Sequence, residues 1–183
     1  MAIKEICRMG NPVLREEAKE LPEELFGSFE LDQLLIDMRD TMEHLGGIGI
    51  AAPQIGISYQ VCIIDVPVES ERYPDTEESD EYIIINPTIE VINDQKIGIW
   101  EGCLSVPGLR GYVPRNKTVV IRYQDLDGEP QQLEVDGFLA IVFQHELDHL
   151  FGKLYVDRIE DPKNLVFEEE YVKYIQPTEI KEE

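Results

Sequence analysis

The feature that most constrains the fold is the segment Gln144-His145-Glu146-Leu147-Asp148-His149, which lies inside a long apolar run. Histidines four residues apart lie one above the other on the same helix face, so both can bind one metal ion. Glu146 leaves the helix at a different angle and can reach a water molecule beside that ion without binding the ion itself. The chain has three histidines and this motif contains two of them. The sequence therefore predicts a metal site on a helix.

The residues around the motif predict that this helix is buried. The run 137–151 is apolar on nearly all sides, which is typical of a helix inside a core and not of one on a surface. Asp136 precedes the run as a candidate N-cap, and Gly152 follows it as a candidate stop. We expect the rest of the chain to fold around this helix.

The other hydrophobic patterns predict one further long helix, several strands and a last helix. Leucines and methionines spaced by three and four predict an amphipathic helix over 31–45, and Asn11-Pro12 predicts a short helix start. The predicted strands are 59–65, 82–86, 88–93, 96–100, and the hairpin 118–124 with 131–135; the last helix is expected between Pro162 and Pro177. Since βαβ alternation is missing, we predict an α+β fold: short, mostly antiparallel strands packed around a central buried HExxH helix, with an N-terminal amphipathic helix and a C-terminal helix.

Length, charge and hydrophobicity limit the number of domains, the binding partners and the cellular location that we expect. The 183 residues suit a single domain, 1–183, with a surface loop at 66–81 and an acidic tail at 176–183. The net charge of -22 repels a nucleic-acid backbone, so we expect no direct nucleic-acid binding. No apolar run approaches the roughly 20 residues of a membrane span, and the N-terminus does not resemble a secretory signal. We expect a cytoplasmic protein that does not associate with membranes.

A catalytic metal site of this type needs a third protein ligand. The candidates are His44 at the end of the first long helix, the acids Glu168 to Glu170 about twenty residues after the motif, and Cys103. Cys103 follows a glycine and precedes Ser-Val-Pro, where a strand gives way to a turn and a thiolate can point at the buried helix. Cys62 lies among aliphatic residues and is predicted to be a buried hydrophobic side chain. We favour Cys103, with the other two candidates left open.

Three motifs in order resemble those of the peptide deformylase family. They are Gly47-x-Gly49-x-Ala51-Ala52-x-Gln54, Glu101-Gly102-Cys103-Leu104-Ser105 and Gln144-His145-Glu146-x-Asp148-His149. The resemblance covers most of residues 1–160 and leaves 66–81 and 161–183 unmatched. It implies a bacterial or organellar type of hydrolase that removes the N-formyl group from the formyl-methionine of newly made polypeptides and releases formate.

The resemblance also implies roles for individual residues. The metal ligands would be Cys103, His145 and His149, and Glu146 would be the general acid/base acting on a metal-bound water. The oxyanion would be held by the side-chain amide of Gln54 and the backbone N–H of Leu104. The implied cofactor is one Fe(II) ion per chain, with Ni(II), Co(II) or Zn(II) as substitutes, among which the donor types alone do not discriminate.

Seven residues are predicted to bind the peptide substrate: Ile48, Gly49, Gly102, Arg110, Phe138, Ile141 and Val142. The last three precede His145 on its helix and can line an apolar pocket for the methionine side chain, although they also suit an ordinary core. The first two can offer backbone hydrogen bonds to an extended peptide. Arg110 would steady the peptide chain unless it is an ordinary surface arginine. We also expect Glu101 to pair with Arg115 and Asp148 to support the ligands.

Two other functions fit parts of the pattern. One is a zinc endopeptidase that uses His145, His149 and one of Glu168 to Glu170. The other is a non-catalytic protein that binds formylated peptides, against which the intact Glu146 argues. The expected partners are N-formylated nascent peptides, with transient contact to the ribosome. The acidic tail argues against stable docking on ribosomal RNA through that segment.

Overall fold

The computed structural model of the protein describes residues 3–66 and 80–176. Most of the predicted surface loop 66–81 and nearly all of the predicted acidic tail 176–183 therefore lie outside the described residues. The helices are α1 (Phe29–His44), α2 (Gly137–Leu150) and α3 (Glu168–Tyr174), and the strands are β1 (Gly49–Ala51), β2 (Val61–Ile64), β3 (Tyr82–Cys103), β4 (Val106–Gln124), β5 (Pro130–Asp136) and β6 (Leu165–Phe167). Single 3-10 turns span Pro12–Arg15, Glu23–Leu25, Ala52–Ile55, Tyr155–Arg158 and Pro162–Asn164.

Within the described residues the strands form one antiparallel sheet. Its order is β1-β2-β3-β4-β5, and β6 pairs with β4 beside this path. The sheet and the helices confirm the predicted α+β class, with an N-terminal amphipathic helix, a buried HExxH helix and a C-terminal helix. None of the helices in this part of the chain has the length and apolar character needed to cross a membrane.

The two long helices cover opposite faces of β1, β2 and β3. Alternate residues of these strands point to opposite sides of a sheet, so Ile50 and Ile63 contact the core under α1, whereas Ala51 and Cys62 contact the core under α2. In α2 even Phe143 is fully buried. A fully buried side chain of that size contributes about 2–3 kcal/mol to stability. The prediction of a central buried helix is confirmed, as is that of Cys62 as a buried hydrophobic residue.

Strand β3 differs from the prediction, because the three strands expected over 82–100 are one continuous element. The expected breaks at Asn86-Pro87 and Asn93-Asp94 are register shifts in its pairing with β4. At Asn86, where φ is 50°, the side chain bonds to both the backbone N–H and the backbone carbonyl of Leu21. These bonds hold the distortion in place, so the strand bends and continues.

The last predicted helix also differs in detail. The segment after Pro162 forms a 3-10 turn, then β6, and only then the seven-residue α3. Residues 165–167 pair with Leu109 to Gly111 at the edge of β4. Pairing with that edge satisfies backbone groups that a longer helix would have satisfied internally.

Candidate metal centre

The structure brings Cys103, His145 and His149 together. Their ligand atoms all lie within 4.8 Å of one another, and they are the group of this kind found in residues 3–66 and 80–176. The two histidines are one turn apart on α2, and Cys103 is the last residue of β3, where a register shift and a two-residue turn lead into β4. The Sγ atom of Cys103 lies 3.3 Å from Nε2 of His149. The tight turn thus holds the thiol against the buried helix.

Negative charge from Cys103 and Glu101 lies close to this cluster. Burial by itself raises the pKa of the Cys103 thiol, but the imidazoles of His149 and His145 outweigh it and lower that pKa well below its ordinary value. Burial lowers the pKa of His145, but Cys103 and Glu101 outweigh it and raise that pKa well above its ordinary value. The thiolate is the form of cysteine that binds metals. The donor set, with one thiolate and two imidazoles, suits a divalent ion and leaves one coordination position open.

A buried chain of charged groups orients His145. Its Nδ1–H donates to Oε2 of Glu101 at 2.7 Å, which leaves Nε2 as the nitrogen that could bind a metal ion. Arg115 donates to both oxygens of Glu101 at 2.5 and 2.9 Å, and its Nη1 donates to Asp148 at 2.8 Å. The expected pair of Glu101 with Arg115 is present. The contact of Glu101 with His145 was not predicted, because it joins two residues that are 44 positions apart in sequence.

Glu146 lies beside the cluster with its carboxyl group buried. The residue is 5% exposed, and its Oε2 atom has no hydrogen-bond partner among the described residues. Burial raises the pKa of this carboxyl group. A Cβ atom added at Gly49 would lie 2.5 Å from Oε1 of Glu146. The glycine is therefore required for the close approach of β1 to this carboxyl group.

Gln54 directs its amide at the same site from the 3-10 turn after β1. Its Oε1 accepts a hydrogen bond from the Ala51 N–H at 2.8 Å, which fixes the orientation of the side chain. Its Nε2 donates to Oγ of Ser105 at 3.2 Å and lies 3.6 Å from Sγ of Cys103. Leu104, in the turn that follows Cys103, lines the cleft next to it.

Cys103 and His145 line a cleft that is open to solvent, and Gln54 and Glu146 line it with them. Of the residues predicted to bind substrate, Ile48, Gly49, Gly102, Phe138, Ile141 and Val142 line this cleft. Ile99 lines it as well and was not predicted, because nothing in a strand pattern distinguishes a residue beside a cleft from one in the core.

Arg110 is not among the residues that line the cleft. Its Nη2 lies 2.8 Å from Oε1 of Glu168, and its guanidinium group lies 5.8 Å from the ring centre of Tyr171. It packs behind Gly102, at whose position an added Cβ would meet Nη1 at 3.0 Å. Of the other candidate ligands, Glu168 is thus engaged by Arg110, and His44 lies exposed outside the group of ligand atoms.

Comparison with known proteins identifies the family. Residues 3–165 match the family described as polypeptide deformylase. The chain is 41% identical over 170 residues to a peptide deformylase of Leptospira biflexa. This alignment covers 93% of this chain and 95% of the relative. It is 48% identical over 159 residues to peptide deformylase 2 of Pseudomonas putida, which covers 87% of this chain and 89% of the relative.

Solved structures agree with this result. The crystal structure of a class I type b peptide deformylase from Acinetobacter baumannii, described as bound to Met-Ala-Ser, superposes with a TM-score of 0.83 at 37% identity. The match covers 86% of this chain and 99% of that one. Together with the group of one cysteine and two histidines, these matches show that the chain belongs to the polypeptide deformylase family and is a hydrolase of that type.

Proposed function

We propose that this enzyme removes the formyl group from N-terminal formyl-methionine with one divalent metal ion held by Cys103, His145 and His149. The observation that carries the proposal is the convergence of these three donors with the partnerless Oε2 of Glu146 and the amide of Gln54 beside one cleft. A zinc endopeptidase of the kind considered above would need a glutamate as its third ligand. Of the three acids with that spacing, Glu168 is paired with Arg110 instead, and none of the three belongs to the group of ligand atoms around the histidines in the described residues.

The ligand set indicates which ions suit the site. A bound divalent ion supplies hydroxide at neutral pH and withdraws charge from the formyl carbonyl. One thiolate and two imidazoles accept several first-row metals. We propose Fe(II), one per chain, on the resemblance of the three motifs to the family, with Ni(II), Co(II) or Zn(II) as substitutes. Because the thiolate is oxidisable, we expect the Fe(II) enzyme to be lost in air.

Glu146 is the proposed general acid/base. Its carboxylate takes a proton from the attacking water and returns it to the leaving amine, and a pKa raised by burial suits a group that must do both. The Nε2–H of Gln54 and the backbone N–H of Leu104 donate to the oxygen that becomes negative during the attack. A donor of this kind contributes about 3 kcal/mol to lowering the barrier.

The cleft also suits the rest of the substrate. The proposed methionine pocket is formed by Phe138, Ile141 and Val142, which reach the cleft from α2 next to His145. Strand β1 is the end of the strand order, so a peptide can add alongside Ile48 and Gly49 as a further strand. The Met-Ala-Ser bound to the Acinetobacter enzyme supports a peptide ligand of this length. The proposed partners are nascent formylated peptides met in transient contact with the ribosome, without direct binding to nucleic acid.

The test is amine release from formyl-Met-Ala-Ser by protein loaded with Fe(II), Ni(II) or Co(II) without oxygen, with acetyl-Met-Ala-Ser as the matched substrate. We expect turnover of the formyl peptide only, loss of turnover with metal retained in Glu146→Gln, and loss of metal in Cys103→Ser. No release from the formyl peptide with any of the three metals contradicts the proposed activity. Retention of metal by Cys103→Ser contradicts the ligand set.

A further inference from the structure

We propose that Arg158 is a positioning residue for the metal ligand His145, which it supports from the protein surface through Asp148, Arg115 and Glu101. This inference rests on the metal centre proposed above. It goes beyond that proposal because Arg158 lies outside the three motifs and outside the cleft.

The first step is the contact between Arg158 and Asp148. Arg158 ends the 3-10 turn Tyr155–Arg158 that follows α2. Its Nη2 donates to Oδ1 of Asp148 at 2.6 Å, and its Nε donates to Oδ2 at 3.1 Å. This is the two-point geometry that a guanidinium group makes with a carboxylate and an ammonium group does not. It fixes the rotation of the Asp148 carboxylate as well as its position.

Arg115 and Glu101 connect the oriented Asp148 carboxylate to the metal ligand His145. Oδ2 of Asp148 is shared with Nη1 of Arg115, whose other nitrogens hold both oxygens of Glu101. Glu101 in turn accepts from Nδ1 of His145 at 2.7 Å. The Asp148, Arg115 and Glu101 side chains are at most 9% exposed, whereas that of Arg158 is 43% exposed. Water therefore cannot readily replace an inner link of the chain, and a shift of one group is passed to the next.

Loss of Arg158 leaves Asp148 with one guanidinium partner in place of two. The carboxylate is then free to rotate toward Arg115, and the hydrogen bonds from Arg115 to Glu101 change as a result. Replacing a direct partner of a metal ligand commonly weakens metal binding about 10- to 100-fold. Since Arg158 acts through three intervening groups, we expect an effect near the lower end of this range, about tenfold.

Another surface arginine of the protein, Arg15, provides a matched control. Arg15 pairs with Asp157, the residue next to Arg158, and is 40% exposed. Arg15 is thus an arginine of similar exposure that contacts the same turn, but its partner is Asp157 and not Asp148. An effect of lost surface charge or of a loosened turn would appear in both arginine variants. An effect that passes through Asp148 would appear only at Arg158.

The experiment measures Co(II) affinity of the full chain by competition with a chelator, followed by the thiolate–Co(II) absorption. The variants are Arg158→Gln, Arg158→Lys and Arg15→Gln, and each metal-free protein is also melted. We expect Co(II) binding to weaken about tenfold in Arg158→Gln, to be only partly restored in Arg158→Lys, and to be unchanged in Arg15→Gln. The KM for formyl-Met-Ala-Ser should be unchanged, because the cleft is not altered.

Two results overturn the inference while the proposed function stands. The first is equal Co(II) affinity in Arg158→Gln and Arg15→Gln. The second is full recovery in Arg158→Lys, which would mean that charge alone matters. A wild-type protein that binds no Co(II) would overturn the metal centre itself, and this inference with it.

Discussion

Replacing Gly49 by alanine should disable the enzyme through Glu146 without removing the metal. The added Cβ would lie 2.5 Å from Oε1, 2.7 Å from Cδ and 2.8 Å from Cγ of Glu146, whereas ordinary contact begins at 3.4 Å. The carboxyl group must therefore move by about 0.9 Å, because the strand on the other side is held in the sheet. A misplacement of about 1 Å can cost roughly 100-fold in rate, which corresponds to about 2.7 kcal/mol in the activation barrier.

The assay is kcat/KM for formyl-Met-Ala-Ser, with metal content and thermal midpoint measured on the same samples. We expect a loss of about 100-fold, one metal per chain, and destabilisation of about 1–3 kcal/mol from overpacking. The control is Gly98→Ala, where the added Cβ would meet the ring of Tyr112 at 2.6 Å. That ring belongs to a 37% exposed side chain and can move, so activity should be kept. An alanine at Gly49 that leaves kcat/KM within about threefold of wild type would refute the reasoning.

Three further changes test other parts of the structure. Glu101→Gln removes the charge that opposes a buried guanidinium group, so we expect a loss of about 3 kcal/mol in unfolding free energy and at least tenfold weaker Co(II) binding; unchanged values for both would contradict the role of this residue. Asn86→Ala should lower the free energy of unfolding in a urea titration by about 3 kcal/mol, because it removes three hydrogen bonds and places alanine at an unfavourable positive φ. Asn86→Gly should recover the part of this loss that is due to φ. Glu81→Gln should cost at most about 1 kcal/mol at pH 7. Because Arg39 lowers the pKa of Glu81 below its ordinary 4.5, the contribution of Glu81 is present above that pH and is lost as the pH falls through the lowered value; a difference that grows on acidification would contradict this.

Local sequence patterns predicted most of the secondary structure, but two boundaries needed the tertiary contacts. The segment around Asn86 contains residues that normally end a strand, and it continues because a side chain from the strand binds the backbone at Leu21. The segment after Pro162 has an apolar and acidic pattern typical of a helix, and its first part is a strand because the edge of β4 is available to pair with it. In both cases the partner is remote in sequence.

The site shows the same division. The spacing of His145 and His149 determined by itself that both would face one point, because residues four apart share a helix face whatever the rest of the chain does. The position of Arg110 relative to the cleft could not be predicted from local sequence spacing. It is held away from the cleft by Glu168, a residue that reaches it only because β6 pairs with β4.

The sequence by itself determined a buried helix with two candidate metal ligands and a nearby acid, since helical spacing and apolar character are local properties. Its motifs also carried the likeness to the family. Only the tertiary structure placed Cys103, which the sequence had favoured among three candidates, beside the two histidines, because the β3–β4 turn brings it to α2 across 42 positions, whereas Glu168 pairs with Arg110 and His44 lies outside the group. It alone also aligned Glu101, Arg115, Asp148 and Arg158 in one series of contacts, since β3, β4, α2 and the turn after α2 meet there.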